Sequence, residues 1–87
     1  MEYAEIIVQR IRNLCDRRGI SINALAKMAG MKQSTLDNIV RGITKNPGVR
    51  TLHKIALAFG MTLAEFLDYT ELNEYSFDEP EEEDDAE

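Results

Sequence analysis

Residues 33–42, QSTLDNIVRG, combine two kinds of side chain in one short run. Leu36 and Ile39 are spaced i, i+3, as on one face of a helix. Gln33, Ser34, Thr35 and Asn38 supply polar groups around them, and Arg41 closes the run before Gly42. Gln and Asn each carry a donor beside an acceptor, the pattern that fits N6 and N7 of adenine. Ser can take either role, and a Thr methyl can rest on a thymine methyl. The set has the chemistry to read base edges. The plainer use of the same residues is a solvated helix face.

Such a face works only if a helix holds it and a core holds the helix. Glycines at 19, 30, 42, 48 and 60, with Pro47, divide the body of the chain. Over about residues 3–18, Ile7, Ile11, Leu14 and Cys15 form one stripe, and Gly19 is placed to end that helix in a left-handed cap. SINALAKMAG opens on Ser21, a good N-cap, shows Leu25, Ala26 and Ala29 on one face, and stops at Gly30. QSTLDNIVRG is the third helix, and ITKNPG reads as a loop. VRTLHKIALAFG gives a fourth helix with Val49, Leu52, Ile55, Ala56 and Phe59 as its inner stripe and His53 off it. TLAEFLDY opens on Thr62 with Glu65 three residues later, a capping box for a fifth. No segment alternates as a strand would. The expected fold is all-α: five short helices around one core, with roughly 70 residues just enough to fold unaided.

Helices two and three are joined by only GMK, so they must cross steeply. Ala26 supplies a small side chain at the crossing, and Gly30 tolerates positive φ. Leu25, Ala29, Met31, Leu36 and Ile39 supply the apolar inner face. That combination specifies a helix-turn-helix. From about Ile11 to Leu67 the chain resembles the phage-repressor-type helix-turn-helix family, lambda repressor and Cro-like, also called XRE-type. The resemblance includes the RG that closes helix three, the NP loop, TLHKIALAFG and TLAEFL. It implies a compact five-helix lambda-repressor-like domain and a sequence-specific transcription regulator, expected to act as a repressor. The recognition helix, about residues 33–41, would lie in the major groove. On that reading Gln33, Ser34, Thr35 and Asn38 contact bases, with Gln33 and Asn38 leading. Arg41, Lys45 and Asn46 follow where the family holds backbone phosphates, contacts that orient without reading sequence. Ser21, at the start of helix two, and Lys32, at the start of helix three, are further phosphate partners, since a helix start favours an anion. One such motif reads few base pairs, so a homodimer on double-stranded DNA is expected.

Three positions depart from the family pattern. Ile22 stands where many relatives carry a Gln that clamps a phosphate. Lys32 replaces the Ser or Thr that often caps helix three, and it is a poor N-cap. Some relatives pair a buried Arg late in helix one with an acid late in helix three. Cys15 and Val40 occupy those positions here, leaving no orphan charge from that pair.

The net charge of −6 over 87 residues conceals a division. Residues 1–70 hold all ten Lys and Arg and six acids, hence +4, while residues 71–87 hold ten acids and no base, hence −10. The sequence divides into a helix-turn-helix domain, 1–70, and an acidic tail, 71–87. The tail is expected to be disordered from about residue 78, past its last apolar residues Leu72, Tyr75 and Phe77. The basic body suggests a polyanion partner. The tail suggests a protein partner and a second reading, an antitoxin-like or anti-regulator protein acting through protein–protein contacts. One Cys and one His make a metal site unexpected, and no convergent acid, base and nucleophile set marks an enzyme. No cofactor is expected. No apolar run approaches a membrane span, and the N-terminus does not resemble a signal peptide. A single cysteine fits a reducing cytoplasm, so a cytoplasmic protein with no membrane partner is expected.

Overall fold

In the computed structural model, which describes residues 1–78, helix α1 spans Tyr3–Arg18. Glu2 N–H donates to Glu5 Oε1 (2.8 Å) at its start, and Arg17 and Arg18 occupy its last turn, where the helix dipole favours cations. Gly19, with φ 65°, ends it in the left-handed cap the sequence predicts. Then follow α2 (Ile22–Met28), α3 (Gln33–Val40), α4 (Val49–Ala58) and α5 (Leu63–Leu67). The capping box of α5 is formed: Glu65 N–H donates to Thr62 Oγ1 (3.0 Å) and Thr62 N–H to Glu65 Oε1 (2.8 Å).

Every regular element among the described residues is an α-helix, but there are six rather than five. The sixth, α6, is a single turn, Thr70–Asn73. Its N-cap Tyr69 offers no side-chain cap bond, and four residues are far too few to be helical by propensity. Packing makes it: Leu72 rests against the core, and the Tyr69 hydroxyl donates to Gln9 Oε1 (3.1 Å) and accepts from Asn13 Nδ2 (2.8 Å) of α1. The expectation of disorder from about residue 78 lies, apart from Asp78 itself, outside the described residues.

The core gathers one stripe from each of the first five helices. Ile11, Leu25, Leu36, Ile39, Ile55, Phe59 and Phe66 are its fully buried large side chains. Each stabilises the fold by about 1.5–3 kcal/mol relative to exposure, which is what holds helices too short to stand alone. One member of the expected stripes is displaced. Val49 is 66% exposed, because α4 begins there and the core starts one turn later at Leu52. His53 is exposed, as its place off the stripe predicts.

The structure also buries a charge that the sequence analysis did not single out. Cys15 is buried and Val40 half-buried, the uncharged pair expected at those positions. Yet Arg10 is only 8% exposed. Its Nε–H donates to the Phe66 carbonyl and its Nη2 to the Glu65 carbonyl, both at 2.8 Å. The guanidinium also lies 5.1 Å from the Tyr69 ring centre and 5.8 Å from that of Phe66, within range of cation–π attraction. Burial lowers its pKa, with Arg17 adding to that and Tyr69 and Asp68 opposing it. Carbonyl oxygens at the end of α5 thus do the work that a carboxylate does in a buried ion pair. Arg10 lies on the α1 stripe, between Ile7 and Ile11 at helical spacing, so the signal was present in the sequence as a cation on an apolar face.

Candidate nucleic-acid interface

The α2–α3 pair is built around Gly30. Its φ of 67° turns the chain. Gly30 N–H donates to Lys27 C=O (3.1 Å), and Met31 N–H to Ala26 C=O (2.9 Å), the bonds of a glycine-terminated helix. Three residues later the chain re-enters a helix at Gln33, after Lys32, whose side chain makes no cap bond. Leu25 and Ala26 of α2 and Leu36 and Ile39 of α3 are buried, so the apolar pair that opened the sequence reading faces inward.

The polar residues divide. Gln33, Ser34 and Thr35 are exposed, while Asn38, one turn on, is half-buried. Gln33 is already engaged: its Nε2 donates to Asn23 Oδ1 of α2 and to Asp37 Oδ1 (3.1 Å). Both amide hydrogens stay within the protein, so a bidentate contact through Gln33 requires one of these bonds to open. Asn23 was not singled out from the sequence. Its signal was a polar residue two positions past the Ser21 cap, beside the half-buried Ile22 that packs on the core.

The candidates for phosphate lie at helix ends. Ser21 Oγ accepts from Ala24 N–H at 3.0 Å and keeps its own proton to donate. At the end of α3, the Asn38 carbonyl accepts from Ile43 N–H (2.9 Å) and Thr44 N–H (3.0 Å), so the loop beyond Gly42 starts from a fixed point. Arg41, the C-cap of α3, and Lys45 and Asn46 on the loop are exposed, and Pro47 of the loop is buried. Lys32 is exposed at the other end of α3. Arg41 and Lys45 share a cleft of about 400 Å³ with Glu2, Glu5, Val8 and Val40, so acids at the start of α1 temper their charge.

Other chemistries find little here. Burial, with Asp16 adding to it, pushes the Cys15 thiol pKa up against the opposing effect of Arg12, which disfavours the thiolate that nucleophilic chemistry needs. Among the described residues no group of three or more His, Cys, Asp or Glu is placed to hold a metal ion. None of their helices is long and apolar enough to cross a membrane.

Comparison with known proteins adds to this geometry. A helix-turn-helix family model matches residues 11–66. The chain is similar to the HTH-type transcriptional regulator SinR of Bacillus subtilis, 31% identical over 70 residues, covering 80% of this chain and 63% of that protein. It is similar also to the HTH-type transcriptional regulator SlrR of Bacillus subtilis, 40% identical over 58 residues, covering 67% of this chain and 38% of that protein. The chain therefore spans less than two thirds of the length of these curated relatives. Among solved structures it resembles the prophage Lp1 protein 11 with a TM-score of 0.75 at 27% identity, covering 84% of this chain and 96% of that one. It resembles an HTH_3 family transcriptional regulator from Vibrio cholerae with a TM-score of 0.66 at 31% identity, covering 75% and 36%.

Proposed function

Because this chain belongs to the helix-turn-helix family, we propose that it is a sequence-specific double-stranded DNA-binding transcription regulator, acting as a repressor. The carrying observation is the division of α3. Leu36 and Ile39 are buried while Gln33, Ser34 and Thr35 are exposed at its N-terminal half, the part of a recognition helix that meets base edges. In this reading Gln33, Ser34, Thr35 and Asn38 read bases, and Asn38 does so from a half-buried position. Ser21, Lys32, Arg41, Lys45 and Asn46 hold phosphates around them. The names of the similar proteins, transcriptional regulators, support the same class. The reading assigns no catalysis, cofactor or metal, and places the protein in the cytoplasm, where its DNA is.

Two copies bind together. A pair on a palindrome has half-sites about 34 Å apart, one helical turn. The domain proper is residues 1–70, with 71–87 as its acidic tail. A second reading, a regulator acting through protein contacts, is favoured by one observation: Phe77 is 68% exposed at the root of that tail.

The test is selection of bound duplexes from a random pool at about 0.15 M salt, where sequence-independent binding is weakened, followed by sedimentation on the selected site. A common palindromic sequence bound by two copies is expected. A pool that stays random removes the DNA reading, and one copy on a non-palindromic site removes the dimer.

A further inference from the structure

The exposed side chain of Gln33 stands at the first position of α3 with both of its amide hydrogens engaged. Nε2 donates to Asn23 Oδ1, on the second residue of α2, and to Asp37 Oδ1 (3.1 Å), one turn along α3. A primary amide has two donor hydrogens and one acceptor oxygen, whereas an ionised carboxylate only accepts. Asp37 therefore decides which end of the amide turns toward the protein: the nitrogen. Asn23 must then offer its own oxygen to the second hydrogen. The two holders sit on different helices, so the amide is fixed from two directions. Of the Gln33 amide, Oε1 alone takes no partner among the described residues.

In the major groove a lone acceptor finds one kind of partner, an exocyclic amine: N6 of adenine or N4 of cytosine. Guanine O6 and N7 and thymine O4 are acceptors themselves and repel it. Every base pair carries one such amine, on its adenine or its cytosine. An acceptor thus reads which strand holds the amine rather than whether the pair is A·T or G·C. A free glutamine amide would instead use adenine N6 and N7 together and disfavour cytosine. Opening an internal bond to reach N7 only exchanges one acceptor for another, whereas Oε1 meets an amine with both internal bonds intact.

We propose that Asn23 and Asp37 are positioning residues for specificity: they hold Gln33 as an acceptor-only reader, which takes adenine or cytosine at its base pair and rejects guanine and thymine. This specificity rests on the DNA-binding reading above and narrows what Gln33 does within it. Asn23 and Asp37 act through Gln33, so their loss changes the order in which bases are preferred. A merely structural role would weaken binding to all four bases alike.

The experiment measures the affinity of the full chain for duplexes that carry each of the four bases, in turn, at every position of the selected site. The position that Gln33 reads is the one where Gln33→Ala abolishes the preference. There the unaltered chain is expected to bind adenine and cytosine within about threefold of each other, and guanine and thymine about tenfold more weakly. Asn23→Ala combined with Asp37→Ala frees both amide hydrogens, and adenine is then expected to gain about tenfold over cytosine. Asn23→Asp keeps an acceptor in place. Its added charge weakens binding to every duplex, but the adenine-or-cytosine pattern is expected to stay. Three results overturn the proposal and leave the DNA-binding reading standing: a preference for adenine over cytosine of about tenfold in the unaltered chain, a pattern unchanged in the double variant, or a Gln33→Ala that flattens no position. A chain that selects no duplex from the pool refutes the DNA-binding reading and the proposal with it.

Discussion

The two sides of this molecule are held by different kinds of bond. At the back, Arg10 bonds to Phe66 and Glu65, and Gln9 and Asn13 bond to Tyr69, across 55 to 60 residues of sequence. At the front, the side-chain bonds of Ser21 and Gln33 reach partners no more than ten residues away. The back closes the chain: it ties the last turns of the fold to its first helix through the buried Arg10, which burial forces into partnership, and through the more exposed Tyr69 network beside it. The front is supported from below by Leu25, Ala26, Leu36 and Ile39. Its polar groups, local and exposed, are not needed to hold the fold. A surface of that kind can exchange its own bonds for those of a ligand without unfolding.

The sharpest way to break that contrast is at Arg10. Arg10→Met keeps an apolar stem but removes both donors and leaves the Phe66 carbonyl without its donor, while the Glu65 carbonyl keeps Asp68 N–H at 3.3 Å. A loss of about 3 kcal/mol is expected, read as a lower urea midpoint with an unchanged slope. A loss below about 1 kcal/mol would show that water replaces the guanidinium and that packing alone closes the back.

Front substitutions should leave the urea midpoint nearly in place and change binding instead. Gln33→Ala or Asn38→Ala is expected to lose about 1–3 kcal/mol of discrimination at particular base pairs. Arg41→Ala or Lys45→Ala should weaken all sequences alike and lower the salt slope by about 1. Affinity measured on a selected site and its point variants separates the two. Uniform losses from all four would erase the distinction between readers and positioners.

Gly30→Ala probes the joint of the front. Nothing lies within 4 Å of where its Cβ would stand, so only the positive φ is penalised, at about 1 kcal/mol. A thermal shift well beyond that would mean the α2–α3 crossing itself had moved. Tyr69→Phe is the mildest change, at about 0.5 kcal/mol, because Asn13 is exposed and can turn to water. If it cost as much as the loss of Arg10, the hydroxyl network rather than the guanidinium would be what closes the back.

By itself the sequence determined the helices that carry their own instructions. Ser21 caps α2 and the Thr62–Glu65 box opens α5, because such bonds are made between residues a turn apart. Leu36 and Ile39 fixed which face of α3 turns inward, and Gly30 marked the turn, for the same local reason. The family resemblance then pointed to the surface proposed here for DNA. Three features were decided only in three dimensions. Helix α6 is too short to form without α1 against it. Arg10 is a cation whose partners are backbone carbonyls 55 and 56 residues away, and carbonyls leave no mark in a sequence. Gln33 has Asp37 one turn on, a contact its i, i+4 spacing allows, but its bond to Asn23 of α2 exists because the crossing of two helices, not their order, determines which polar groups meet.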